Sequence, residues 1–299
     1  MTGQETLTIH LDADTRDRAA RGDHNFFHRL RGAVEARGWR VIFVVNTLAN
    51  RLAAPSQPGY ALYHMEEPSH DRALTCRRRY VGAFWTIQAT APRWDWPIVH
   101  TAFDPATVPL TATGFVNSWR KRIWPQGVQT RDDGHIFMPL QGRLLDHRGF
   151  QSMSPIDMIR TTLAQSGRPI IATLHPNEDY TPEEYAALHA LAAQHPRLTV
   201  QQGGSDQALA HCNRVVTQNS ALALHGYFLH KPAVLFARID FHHIAASVPQ
   251  EGLAAFSPRP LPDFDRYLYW FLQMHAINAG RPECEEQILA SLRHHGWPI

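Results

Sequence analysis

The stretch "NRVVTQNSALALHGYFLHKPAVLF" spans residues 213–236. Two short apolar runs within it, "RVVT" (214–217) and "AVLF" (233–236), read as buried strands. Between them, Gln218-Asn219-Ser220 opens an apolar, helix-like segment followed by Gly226 and Lys231-Pro232. The order is therefore strand, helix, strand. A helix amino end leaves backbone N–H groups unpaired and carries partial positive charge. Small polar residues there let a phosphate approach. Asn219 and Ser220 are thus candidate phosphate contacts, and equally the residues an ordinary N-cap uses.

The same alternation extends towards the amino terminus. "HIFMPL" (135–140), "PIIATL" (169–174) and "RLTVQ" (197–201) read as further strands. The helix between the first two takes Ser154 as N-cap and Pro155 at its first position, with Ile156, Ile159 and Leu163 on one face. The next, "TPEEYAALHALAAQ", has a capping box from Thr181 to Glu184. A short helix capped by Ser205 precedes residue 214. Strands alternating with helices over about a hundred residues predict a parallel sheet with helices on both faces. Such sheets bind ligands at the carboxyl ends of their strands.

Two more candidates lie at that edge. His175-Pro176 follows the strand 169–174, and the proline biases His175 to extended backbone. The histidine can donate to a phosphate or ribose oxygen, or it is a loop histidine beside an acidic turn. Gln141, with Arg143 after it, follows the strand 135–140 and suits an acidic sugar or a phosphate, or is a surface loop.

The first half is less regular. "LTIHL" (7–11) and "RVIFVV" (40–45) read as strands around a helix capped near Asp23. Phe26, Phe27, Leu30 and Val34 face inward on that helix, and Gly38 ends it. This βαβ opening predicts a second Rossmann-like domain. The order of the pieces in 60–105 is not readable. The turn-rich "WPQGVQTRDDG" places a boundary near 125–134. The expected division is 1–130, 131–262 and a helical tail, 263–299. The fold class is α/β, with two Rossmann-like domains facing across a cleft, an architecture suited to a two-substrate transferase.

Composition narrows the function. Hydrophobic residues are 44% and charged residues 19%, as in an ordinary globular protein. A net charge of +2 argues against a nucleic-acid partner. No apolar run approaches a membrane span, the opening "MTGQETLTIHLDAD" lacks signal-peptide regions, and three scattered cysteines make no disulfide framework. A cytoplasmic protein is expected. The 19 histidines include no HExxH and the cysteines no CxxC, so no metal site is expected.

Together, "PLQ", "HP", a strand ending in Asn-Ser and "HGYFLHKPAVLF" resemble the capsular-polysaccharide biosynthesis proteins, which include bacterial capsule Kdo transferases. The tail "FDRYLYWFLQMHAINAG" is similar to their closing helices. The resemblance covers about 130–280. It implies a GT-B glycosyltransferase of bacterial surface polysaccharide assembly. The donor would be a nucleotide-activated sugar, CMP-Kdo in the best-known members, used as co-substrate with no cofactor, and the acceptor a glycan or glycolipid. It maps His175, Pro176, Asn219 and Ser220 to nucleotide and phosphate contacts and Gln141 to a cleft-facing loop. The chain departs from the family pattern at Thr173 (Lys in the family), at Leu174 (Pro), at Asn219 (a hydroxyl residue) and in "ARIDFHHI" after Phe236. Arg238 and His242 are candidates to replace the missing positive charge.

A transferase of this kind needs a group that deprotonates the acceptor or shields the anomeric centre. The candidates are Glu66 and Glu67, beside His64, and Asp104. Adjacent glutamates usually point apart, which favours at most one of the first two. Two basic-aromatic patches, "RRRY" (77–80) and "SWRKRIW" (118–124), suit an anionic membrane surface, peripheral at the inner membrane, a lipid-linked acceptor, or a solvated helix with a packed face. Two other functions share the architecture: a nucleotide-sugar epimerase, and a non-catalytic nucleotide- or glycan-binding assembly protein.

Overall fold

A computed structural model describes residues 4–299. The chain divides into two compact units, one made of the residues up to Trp96 together with Phe271–Ile299, the other of Pro97–Trp270.

The first unit opens with β1 (Thr6–Leu11), α1 (Ala13–Arg21), α2 (Asn25–Glu35) and β2 (Arg40–Val45). Sequence reading passes over α1, whose nine residues include one buried side chain, Ala19, and so show no apolar stripe. Asp12 caps it by accepting from the Thr15 N–H, and Gly22, at φ +85°, ends it. The next helix is capped by His24, next to Asp23 as expected. Its Phe26, Phe27, Leu30 and Val34 are buried against Leu7, Ile9 and Leu11 of β1, as their spacing predicts. Then come α3 (Leu48–Ala53), β3 (Tyr60–His64), β4 (Ala73–Arg78) and β5 (Phe84–Gln88). β2, β1, β3 and β4 run parallel in that spatial order, and β5 turns antiparallel to β4.

The second unit contains α4 (Ala112–Ile123), β6 (Ile136–Pro139), α5 (Pro155–Gln165), β7 (Ile170–Leu174), α6 (Pro182–Gln194), β8 (Leu198–Gln202), α7 (Ser205–His211) and β9 (Arg214–Thr217). It continues with α8 (Ala221–Phe228), β10 (Ala233–Leu235), β11 (Ala246–Ser247), α9 (Val248–Glu251) and α10 (Phe264–Leu268). All six strands are parallel, in the spatial order β11-β10-β9-β6-β7-β8. This is a doubly wound sheet: the chain starts at β6, winds outward through β7 and β8, then returns to β6's other side for β9 to β11. The caps at Ser154 and Thr181 are those expected. The cap of α7 is Gly204, at φ +72°, because Ser205 is already helical and its hydroxyl bonds to Thr173 Oγ1 at 3.1 Å. Gly226 lets α8 lie close to the sheet: a Cβ there would meet Val215 Cγ2 at 3.3 Å.

The division by contacts differs from the one expected from turns. The stretch 125–134 lies inside the second unit, tied down by Arg131 N–H to Ala210 O (3.2 Å) and Asp133 N–H to His211 O (2.9 Å). The tail is not a separate helical piece. Beyond α10 it supplies β12 (Ile277–Asn278), antiparallel to β5, and α11 (Cys284–His294), which packs on α2. Arg29 of α2 pairs with Glu285 of α11 (Nε to Oε1, 2.6 Å) and donates to Arg281 O at 2.6 Å.

Candidate functional site

The switch in strand order within the second sheet falls between β6 and β9. At such a point the connections leave in opposite directions and open a crevice at the strands' carboxyl ends. Three strand ends are stitched together there. Thr217 Oγ1 donates to Pro139 O at 3.0 Å, joining β9 to β6. Leu140 N–H donates to Thr173 O at 2.8 Å, joining β6 to β7. From these ends emerge Gln141, His175 with Pro176, and Gln218-Asn219-Ser220. All five expected nucleotide contacts thus follow closely on adjacent strand ends, and Pro176 among them is exposed.

Ser220 is the N-cap of α8, its hydroxyl accepting from Leu222 N–H at 3.3 Å. The plain alternative therefore holds for Ser220, and its capping leaves the hydroxyl proton for another acceptor. Asn219 is 6% exposed, and its amide makes no hydrogen bond among the described residues. Gln218 is fixed by Nε2 donating to Met153 O at 3.0 Å, while its Oε1 is sealed without a partner.

His175 is oriented by its own turn. Its N–H donates to the Tyr180 hydroxyl (2.8 Å), and its Nδ1 accepts from Asn177 N–H (3.2 Å). With Nδ1 accepting, the proton of the neutral ring sits on Nε2, which is then a donor.

The loop after β6 is pinned by the capping box of α6. Glu184, 6% exposed, accepts from Thr181 N–H at 2.8 Å and also from Leu144 N–H. Gly142 lies close to Glu178: a Cβ there would meet the end of the Glu178 side chain at 2.5 Å, and that exposed side chain would have to shift. The loop carries two arginines. Arg143 is exposed, at φ +62°. Arg148 is half-buried over the Phe150 ring (4.9 Å), with its Nε sealed and unpartnered. Burial, and then the charge of Arg143, lower its pKa. Sequence reading passes over Arg148 because it lies in a loop with no periodicity. Of the two candidates for replacement charge, His242 adds none at neutral pH: burial lowers its pKa, and its Nδ1 faces Ile239 O at 2.9 Å. Arg238 continues the chain at this edge, its N–H donating to Phe150 O at 2.8 Å.

Each candidate carboxylate is engaged within its own loop or turn. Glu66 pairs with Arg51 at 2.6 Å. Glu67 accepts from Ala91 N–H at 2.7 Å and from Thr90 Oγ1 at 3.1 Å, which fixes the loop after β5. Asp104 lies in the other unit and caps the short turn Pro105–Thr107, accepting from Ala106 N–H at 2.8 Å. The first unit has its own switch point, between β1 and β3. There His64 Nδ1 lies 3.9 Å from Asp12 Oδ2, a pairing of residues 52 positions apart (64 less 12) that sequence spacing does not reveal. Burial pushes the His64 pKa down to about 4.

The basic patches are tied into the fold in part, while Arg78 and Lys121 are exposed. Arg79 is buried and donates to Phe271 O at 3.0 Å. Trp119 is buried, Arg122 stacks on it at 4.7 Å, and Arg120 Nε donates to Phe228 O at 2.7 Å. Among the described residues, no helix is long and apolar enough to cross a membrane.

No family model matches the chain, and no curated protein does. Among solved structures, it is similar to the beta Kdo 2,7 transferase of Thermosulfurimonas dismutans KpsC, with 10% identity and a TM-score of 0.53 over 97% of this chain and 99% of that one. The beta Kdo 2,4 transferase of the same protein matches at 9% identity and a TM-score of 0.44, over 87% of this chain and 88% of that one. S. aureus MnaA, solved with UDP, matches at 12% identity and a TM-score of 0.37, over 98% and 97%. At such identities the first likeness is one of fold: the chain has the α/β architecture of GT-B type, built on two mainly parallel sheets.

Proposed function

We propose that the protein is a glycosyltransferase that takes a nucleotide-activated sugar at the carboxyl edge of its second sheet. It would pass the sugar to a glycan or glycolipid acceptor in bacterial surface polysaccharide assembly, on the cytoplasmic side of the inner membrane. The observation that carries this reading is the placement of Gln141, His175, Asn219 and Ser220 around one topological switch point. The donor's phosphate lies against the amino end of α8 and the Asn219 amide, where backbone N–H groups and the helix dipole favour negative charge. His175 Nε2 donates from the β7 side. Arg148 and Arg143 supply the positive charge that Thr173 does not.

These donors face the group that gains charge as the glycosidic bond to the nucleotide breaks. Fixed donors aimed at a leaving phosphate lower the barrier without reorganising. The likeness to a Kdo transferase makes CMP-Kdo the first donor to test.

The test is incubation with CMP-Kdo and with UDP- and GDP-sugars, with and without oligosaccharide and glycolipid acceptors, followed by mass analysis of products. A glycosylated acceptor and free nucleotide support the proposal. An isomerised donor formed without acceptor makes the protein an epimerase. Nucleotide binding with no turnover makes it a binding protein.

A further inference from the structure

The opposite edge of the second sheet holds a cavity of about 380 Å³, at the amino ends of β9 and β10. Its size falls within the range of small-ligand sites, about 300–1,000 Å³. One wall is the segment Ser257–Pro262, "SPRPLP", in which three prolines restrict the backbone. Val234, Ile244, Ala255 and Leu261 make it partly apolar.

The charged groups around it are engaged, with one exception. Lys231 Nζ donates to Arg131 O (2.7 Å) and Cys212 O (2.8 Å). His230 Nε2 meets Asp265 at 2.8 Å, and Arg259 pairs with Glu251 at 2.7 Å. The Asp132 carboxylate accepts from Asn213 Nδ2 (2.7 Å) and Gly134 N–H (2.8 Å). Arg214 is the exception. It is half-buried, and its Nε donates to Asn213 Oδ1 at 3.2 Å. Its two terminal nitrogens have no hydrogen bond and no ion pair among the described residues. Burial, then the charges of Arg168 and Arg259, lower its pKa, against the smaller opposing pull of the Asp132 carboxylate, which also lines the cavity. A guanidinium held beside like charges at an apolar cavity is complemented by an anion that it can hold through two parallel hydrogen bonds.

We propose that this cavity is a second ligand site, which binds a small organic anion with one carboxylate or phosphate head on Arg214 and an apolar body against Val234, Ile244 and the proline wall. It is separate from the nucleotide edge, since it lies at the other ends of the same strands.

The experiment is calorimetric titration of the whole protein with octanoate, hexyl phosphate, octan-1-ol and inorganic phosphate. Saturable one-to-one binding of octanoate or hexyl phosphate is expected, the tighter of the two identifying the head group. Octanol and inorganic phosphate, lacking head or body, bind at least tenfold more weakly. Arg214→Gln weakens the anions at least tenfold and leaves octanol unchanged. Ser257→Trp, placed at an exposed residue of the lining, abolishes binding without changing the thermal midpoint, and reads the site even if Arg214→Gln fails to fold. Failure of both amphiphiles to saturate the wild type, equal binding of octanol, or wild-type affinity in Ser257→Trp overturns the proposal.

Discussion

Asn219 and Ser220 are neighbours with separable roles. Ser220→Ala removes an N-cap and is expected to cost about 1 kcal/mol of stability, read by urea denaturation. Asn219→Ala breaks no protein hydrogen bond, so it should leave the urea midpoint near the wild type and weaken donor binding at least tenfold in a titration. What the sequence made legible was the helix start, because small polar residues between a strand and a helix commonly serve as its N-cap, as Ser220 does. Arg148 was not legible, because half-burial over Phe150 is a property of the folded loop. The buried histidines give a pH prediction. His10 and His64 both have pKa values lowered from 6.5 to about 4, chiefly by burial. Between these values the unfolded chain binds more protons than the folded one, so stability is complete above pH 6.5 and falls as pH drops towards 4. The urea midpoint should decline across that window, and His10→Leu, which removes one of the two titrating rings, should flatten the decline; among the described residues neither ring nitrogen of His10 has a hydrogen-bond partner to lose.

At the scale of elements, the capping box of α6 does two things. Its signature, Thr181 to Glu184, is readable in the sequence and predicts the helix start. Its second role is not readable: Glu184 also accepts from Leu144 N–H, 40 residues away in sequence, and so anchors the loop that carries Gln141 and both arginines. Glu184→Ala leaves two backbone donors without their acceptor at a nearly closed site. It should cost about 1–3 kcal/mol in urea denaturation, and weaken donor binding through the loaded loop. Glu184→Gln, which keeps one acceptor oxygen, should recover part of both. The helices with an apolar stripe, α2 and α5, were legible for the same reason that they pack. α1 was not, because one buried alanine does not make a period.

At the scale of the whole molecule, the parallel winding of the second sheet could be anticipated from strands alternating with helices. The division of the chain could not. A boundary read from turns assumes that polar, glycine-rich stretches are free, whereas 125–134 is bonded to the end of α7 and lies inside a unit. The tail's return was hidden because β12 has only two residues, and because α11 finds its partner in α2, where Arg29 pairs with Glu285, 256 residues away in sequence. Removing 271–299 therefore deprives the first unit of Ile277, Ile288, Leu292 and Trp297, all buried in its core. Such a truncation should abolish the cooperative unfolding of that unit and expose the β5 edge. Circular dichroism and limited proteolysis at sites before Trp96 would show it; a tail that was merely appended would leave both unchanged.

The nucleotide site at the β6–β9 switch point is tested most directly by calorimetric titration of CMP-Kdo, UDP-sugars and GDP-sugars into the wild type and into a His175→Ala, Asn219→Ala double variant. The wild type should bind one nucleotide class saturably. In the double variant binding should fall at least a hundredfold, with the thermal midpoint preserved. Binding of equal strength in the double variant would place the nucleotide elsewhere. No binding of any nucleotide sugar would contradict a nucleotide site at the β6–β9 switch point.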